Sequence, residues 1–263
     1  MSFFRPALSR FVVAATLGAT SLVLPNAAQA LLFDQNVTPD LIFGSGNANG
    51  SFTTDRANGV ELGLRAKVRY DVSDDLPKNT FNSNGDGTYN HAAGAPASNA
   101  NRARWNFEWS INTDYLGMSG LMLDDLTYLI EMDFDPGLGT SYQSFDPINL
   151  PFADHSIGNN GTGNGAGQEA VDPGTYATLI ANNNVAQQSW NLDFFDNPPF
   201  FDPNADGVYT FVLTAFQGNQ QLASTSIDVI VGAGVAVPEA ATLGLFGLGL
   251  AGLGFAGLRR RGR

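Results

Sequence analysis

Two short stretches set oxygen-bearing side chains at alternate positions ahead of a glycine. One is Asn82-Ser83-Asn84-Gly85-Asp86-Gly87, the other Asp202-Pro203-Asn204-Ala205-Asp206-Gly207. Oxygens at positions one, three and five with a glycine at the sharp bend make the front half of a calcium loop. The glutamate that closes such a loop at its twelfth position is missing, since Ala93 and Leu213 stand there. A calcium ion held by Asp202, Asn204 and Asp206, or by Asn82, Asn84 and Asp86, must therefore borrow a ligand from elsewhere in the fold. The same residue types also make tight turns before strands with no ion bound. Calcium is the one cofactor that these patterns suggest.

Other groups could do chemistry if the fold gathered them. Glu131, Asp133 and Asp135 lie two apart, which on a strand sets three carboxylates on one face. Arg65, Lys67 and Arg69 repeat the spacing with opposite charge, so the two stripes are expected on neighbouring strands of one sheet, where cross-strand pairs stabilise. The two histidines, His91 and His155, each fall in a long polar stretch and are expected as solvated loop residues; a shared metal or a His155–Asp154 pair is the sharper alternative. Phe194-Phe195 and Phe200-Phe201 flank a proline-containing loop, either clamped over the core or open for stacking on sugar rings. No G-x-S-x-G elbow, no H-E-x-x-H helix and no cysteine nucleophile is present. A carboxylate pair for glycoside hydrolysis stays open, because its separation in space is not a sequence property.

The elements that must position these residues read as strands. Residues 60–72 alternate without a break, Val60, Leu62, Leu64, Ala66, Val68, Tyr70 and Val72 against Glu61, Gly63, Arg65, Lys67, Arg69 and Asp71. Such a period predicts a half-buried strand with one wet face. Residues 103–111, 126–134 and 185–194 alternate likewise, and 208–216 and 222–231 form a hairpin around Gly218-Asn219. Residues 176–180 are ambiguous and could be helical. Long loops are expected over 76–101 and 146–170, the second holding the flexible run Gly161-Thr-Gly-Asn-Gly-Ala-Gly167. Four Asp-Pro steps punctuate the elements. About eight strands and no clear amphipathic helix predict an all-β domain, an antiparallel β-sandwich with a jelly roll as one form of it. Trp105, Trp109 and Trp190 then fall on core faces, with a sugar-stacking platform as the alternative.

Both ends carry addresses. Arg5 and Arg10 precede an apolar run, and Ala28-Gln29-Ala30 offers the small residues of a signal-peptidase site, so residues 1–30 are expected to be removed on export. At the other end, Pro238-Glu239-Ala240 leads into residues 241–258, eighteen without a charge, then Arg259, Arg260, Arg261 and Arg263. That length barely spans a bilayer core as a helix. Its six glycines would destabilise a helix in water by roughly 1 kcal/mol each, but in lipid unsatisfied backbone enforces helix. The arginines are expected on the cytoplasmic side and everything before Pro238 outside.

This tripartite tail resembles the PEP-CTERM signal of Gram-negative surface proteins, with Ala240 where the motif's second proline usually stands. The resemblance covers a tenth of the chain. It implies recognition by exosortase, a membrane transpeptidase-like enzyme that cuts near the motif, and association with bacteria that make exopolysaccharide.

Between the ends, residues 31–236 are expected to form one domain. They hold 7 basic and 24 acidic residues, a net charge of about −17, and no cysteine. That charge argues against nucleic acid and anionic membrane surfaces as partners. Stability without disulfides must come from packing, hydrogen bonds or ions. The expected product is a non-enzymatic surface protein, a structural or adhesive component of an extracellular polysaccharide matrix. A calcium-assisted lectin-like module is the alternative, and a secreted hydrolase a third. Signal peptidase and exosortase are the processing partners, polysaccharide the candidate ligand, and the membrane a temporary anchor.

Overall fold

The computed structural model describes residues 30–137, 139–195 and 201–234. The signal segment including Ala28, the motif Pro238-Glu239-Ala240, the apolar tail and the arginine end lie outside the described residues. Among the described residues no helix is long and apolar enough to cross a membrane.

The long alternating stretches become the central strands. In chain order the strands are β1 (Leu32–Gln35), β2 (Phe52–Ala57), β3 (Val60–Val68), β4 (Thr88–His91), β5 (Trp105–Asn112), β6 (Thr127–Asp133), β7 (Tyr142–Phe145), β8 (Ser156–Gly158), β9 (Val185–Trp190), β10 (Gly207–Gln217) and β11 (Gln220–Val231). One sheet runs β1-β2-β3-β5-β9-β8, the other β4-β11-β10-β6-β7. Every pairing in the first sheet is antiparallel. In the second, β4 lies parallel to β11, which departs from the all-antiparallel expectation. The 76–101 and 146–170 loops thus contain β4 and β8, and Tyr70 and Val72 lie beyond β3.

The inner faces of the two sheets bury one continuous core. Trp105, Phe107, Trp109 and Ile111 of β5 meet Tyr209, Phe211 and Leu213 of β10. Phe107 and Phe211 stack with centroids 4.4 Å apart, and Trp105 meets Phe211 edge-on at 6.0 Å. All three tryptophans are buried, as their strand positions require. The ambiguous 176–180 stretch is the end of a helix, α1 (Pro173–Ile180). Asp172 caps it, its side chain accepting from Thr175 N at 2.7 Å, and Pro173 begins it without a wasted donor.

The outer face of β3 is not wet. Residues 37–50 cross it as a strap, and Val37, Leu41 and Phe43 form a second apolar cluster with Phe52. Beneath the strap, Arg65 is fully buried and donates from Nε to Glu108 Oε2 on β5 at 2.6 Å. Its Nη2 lies 2.6 Å from the same oxygen without the alignment of a hydrogen bond. Nη1 donates to the strap carbonyls of Ala48 (2.9 Å) and Gly50 (2.6 Å), and the guanidinium sits between the rings of Phe52 and Phe81. Lys67 donates to Asn47 Oδ1 and stands 3.9 Å from Glu108 Oε1. Glu61 accepts from Thr38 N (2.6 Å) and Arg56 Nε (2.5 Å). Gln187 of β9 completes the seam, accepting from Ile42 N and donating to Asp40 O, each at 2.8 Å. Gly63 is the residue that lets the strap close, because a Cβ there would meet Val37 Cγ1 at 2.7 Å and Phe52 Cδ1 at 3.1 Å.

The expected pairing of the two charge stripes is overturned. β3 and β6 lie in different sheets, and Glu108, a single carboxylate directly across from Arg65, takes the role assigned to Glu131, Asp133 and Asp135. The acidic stripe instead closes its own turn, with Asp133 Oδ1 accepting from Asp135 N (3.0 Å) and Ser141 N (2.7 Å).

A buried pair that loses one partner leaves an uncompensated charge, which costs about 3–5 kcal/mol, whereas replacing both partners by apolar groups is often near neutral. Glu108→Ala is therefore expected to lower unfolding free energy by about 3–5 kcal/mol in urea titrations. Arg65→Met combined with Glu108→Leu should cost clearly less. Equal losses would show that the charges are not coupled.

Candidate functional site

β8 is shorter than its neighbour. It pairs with β9 only from Val185 to Gln187, so Gln188, Ser189 and Trp190 have no strand beside them on that edge. Gln188 is tied instead to the chain before β8, its Nε2 donating to Asp154 O at 2.9 Å and Asp154 Oδ1 at 3.2 Å. The space left open is a groove of about 490 Å³.

Its floor is Trp190, 7% exposed, which packs edge-on against Phe195 at 5.0 Å and tilted against Phe145 of β7 at 5.9 Å. Two rings at the groove are open to solvent, Phe152 at 44% and Phe194 at 51%. Phe194 lies in a short 3-10 turn, Leu192–Phe195, and the Arg102 guanidinium lies 5.1 Å over its ring. Arg102 is itself fixed by Asp193 (3.3 Å) and the Tyr70 hydroxyl (3.1 Å). Phe152 meets Tyr176 of α1 edge-on at 6.3 Å. The apolar surfaces are thus held in place by a clamp and by the core.

His155 forms part of the wall and is 1% exposed. Its Nε2 lies 2.6 Å from Pro147 O, and a carbonyl only accepts, so Nε2 carries the proton. Burial pushes the imidazole below its usual range and holds the ring neutral. Nδ1 therefore presents a lone pair, and it has no hydrogen-bond partner among the described residues. The ring stands edge-on to Trp109 at 4.9 Å.

A second cleft, of about 270 Å³, opens on the outer face beside the strap. Lys67, Arg69, Asn106, Glu108 and Ser189 line it. Its polar atoms are largely spent on one another, since Asn106 donates to Ser189 and accepts from Asn191, each at 3.0 Å.

The residues proposed for calcium fall on turns. Asn84 Oδ1 accepts from Asn90 Nδ2 at 2.7 Å, and Asp86 Oδ1 accepts from Thr88 N at 3.0 Å and Thr88 Oγ1 at 2.7 Å. Asn82 adopts a left-handed backbone at the start of that turn. Asp202 Oδ1 accepts from both Asn204 N (2.9 Å) and Asn204 Nδ2 (3.0 Å), and Asp206 precedes β10. Among the described residues no three His, Cys, Asp or Glu side chains gather as a metal-binding group.

Both histidines are buried, against the expectation of solvated loops. His91 lies on β4 against Trp105 at 6.1 Å, so the core aromatics that need shielding also enclose the imidazoles. Asp154 engages Gln188, and the proton-bearing nitrogen of His155 engages a backbone carbonyl, so the two are not joined as a catalytic pair. Of the paired phenylalanines, Phe201 is buried and Phe194 open, while Phe200 and Asp196 to Pro199 lie outside the described residues. Phe152 and Gln188 were not singled out from sequence. One sits in a stretch read as polar loop, and the other gains its role only because β8 stops short.

The tail resolves where the chain goes. Residues 236–261 match the PEP-CTERM protein-sorting motif. The motif implies an exported protein that is processed by exosortase, first anchored in the membrane and then sorted to the surface. No match is found among curated proteins. Among solved structures, the extracellular domain of the hybrid two component system BT3049 from B. thetaiotaomicron aligns at 11% identity, over 70% of this chain and 20% of that one. Its TM-score is 0.28.

Burial lowers the pKa of both histidines, that of His91 to about 4. The unfolded chain, with histidines near 6.5, then binds more protons than the fold between about pH 4 and 6.5. The stability they contribute is complete above pH 6.5 and is lost as pH falls through that window. Burial raises Asp55 and Glu61, which act in the opposite sense in the carboxylate range. His91→Phe should flatten the decline between pH 6.5 and 4 by up to about 3 kcal/mol in urea unfolding. An unchanged slope would mean that His91 does not titrate on unfolding.

Proposed function

We propose that this chain is an exported, surface-sorted β-sandwich that serves without catalysis as a structural or adhesive component of an extracellular polysaccharide matrix. The observation that carries this reading is the sorting motif at residues 236–261, which gives the domain an address outside the cell. The domain suits that setting. It is strongly acidic, free of cysteine, and locked by buried ion pairs and a strap rather than by disulfides. Its two facing sheets are read as a sandwich, with the parallel β4–β11 pair at one edge.

The open edge beside Trp190, with two exposed rings, is a surface that adhesion can use. No step of bond cleavage is assigned to it. His155 donates its Nε2 proton in a hydrogen bond to the Pro147 carbonyl, so it has no carboxylate behind it to make it a general base.

The reading is tested in two arms. Removing residues 237–263 should shift the protein from the cell surface to soluble fractions on cell fractionation, while the secreted domain remains folded. Full-length protein should co-sediment saturably with exopolysaccharide from the organism that encodes it. Repeating the assay with chelator tests the turn at Asp202, Asn204 and Asp206, and a chelator-sensitive affinity would add calcium to the account. Unaltered location on deletion, or no co-sedimentation with or without calcium, would contradict the proposal.

A further inference from the structure

We infer that the cleft on the outer face beside the strap is an oxyanion-binding site, in which Arg69 and Lys67 take the carboxylate of a small organic acid or a sulfate group. The inference goes beyond the matrix reading and does not depend on it.

The observation that carries it is how the domain spends its cations. Residues 31–236 hold 7 basic and 24 acidic side chains. Arg56, Arg65, Lys67, Lys78, Arg102 and Arg104 each have a carboxylate oxygen at 2.5–3.9 Å. Arg69 alone has no such partner among the described residues, and its guanidinium lies instead 4.9 Å from the Tyr70 ring centroid. Where carboxylates outnumber cations more than three to one, an arginine without one has been kept clear of them by the fold. Arg69 lines the cleft.

The placement follows from the strand. Arg65, Lys67 and Arg69 stand two apart and so share the outer face of β3 and its continuation. The strap covers the first two, through the carbonyls of Ala48 and Gly50 and through Asn47 Oδ1. Arg69 is only half-buried and lies beyond that cover. Pro77 forms another wall, fixed by Val68 N donating to Thr80 O at 2.9 Å and Lys78 N to Val68 O at 3.2 Å.

The groups left over in the cleft are donors. Glu108 lines it too, but Arg65 already engages that carboxylate at 2.6 Å, so Lys67 and Arg69 set the local sign. An ammonium has three protons, and Lys67 gives one to Asn47. The planar fork of Arg69 matches two oxygens of a carboxylate or sulfate at once. Ser189 Oγ accepts from Asn106 Nδ2 at 3.0 Å and keeps its own proton to donate. Burial holds the Lys67 ammonium below its usual range, and the charges of Arg65 and Arg69 push the same way against Glu108. An anion between Lys67 and Arg69 relieves that repulsion. The net charge of about −17 opposes a polyanion laid along the surface, but over the few ångströms inside the cleft the nearest charges decide. At about 270 Å³ the cleft takes a ligand no larger than a single sugar acid.

The test is titration calorimetry on the full chain in mild detergent and dilute Tris chloride, with acetate, glucuronate and inorganic sulfate as ligands and glucose as the neutral control. At least one of the anions should bind at one site per chain and weaken as salt is added, and glucose should not bind. Glucuronate well above acetate would place the oxyanion on a sugar, and equal affinities would make it a free ion. Arg69→Gln removes the charge at a half-buried position with no ion pair, and should weaken binding about tenfold or more with an unchanged urea midpoint. Arg69→Lys keeps the charge without the fork and should fall between that variant and wild type. Lys78→Gln removes an equal charge next to Pro77 and should leave the affinity as it was. No anion bound by wild type at low salt would overturn the inference. So would an Arg69→Gln variant that binds as tightly as wild type, or a Lys78→Gln variant that loses as much as Arg69→Gln.

Discussion

A guanidinium and a carboxylate removed from water need one another and further polar partners, and in this domain that requirement shapes one whole side of the first sheet. Arg65 can be buried only because Glu108 lies across from it and because the carbonyls of Ala48 and Gly50 accept from its Nη1. Those carbonyls belong to the strap, so the buried charge and the covering segment need one another. Glu61, Lys67 and Gln187 extend the same bargain along β3 and β9. The sheet thereby gains a second covered face, with polar side chains as its filling and a small apolar cluster of Val37, Leu41, Phe43 and Phe52 as its lid. For a cysteine-free protein outside the cell, this replaces cross-links with geometry.

The central strands were legible because their pattern is long. Thirteen alternating residues from Val60, and the Trp-Phe-Trp series on β5, leave no other period to fit, and the hairpin of β10 and β11 is signalled by Gly218-Asn219. The short strands were not legible. β4 and β8 have four and three residues, too few to show a period, and they pair because the chain around them is already fixed. The same reason hides the strap. Its apolar residues have no regular spacing, and its backbone is held by side chains from distant strands, so the alternating charges of β3 read as a wet face. The charge stripes illustrate the limit most clearly. Equal spacing says that two rows could pair, but sheet order decides whether they meet, and Glu108 was the nearer partner.

The candidate site has a similar history. The tryptophans read in sequence as core and the paired phenylalanines as a clamp over it, each with stacking surfaces as the alternative, and the structure distributes them between the two roles. Trp105, Trp109 and Trp190 serve the core, while Phe194 stays open. What the sequence could not show is an edge left unpaired by a short β8, since that is a property of two strand lengths compared in space. His155 is the sharpest instance. In sequence it sits in a polar stretch, yet Trp109, Trp190 and Tyr176 enclose its ring. The tail, in contrast, was readable almost letter by letter, because a sorting signal is recognised as sequence and needs no fold.

Native-state hydrogen exchange tests most directly whether buried side chains hold the strap to the sheet. The amides of Thr38 and Ile42 donate to Glu61 and Gln187, not to another strand. If the strap and the sheet form one cooperative unit, these amides exchange with the same free energy as those of β3 and β5, and Glu108→Ala lowers all of them together. Exchange of Thr38 and Ile42 several orders of magnitude faster than the strands beneath would contradict the account.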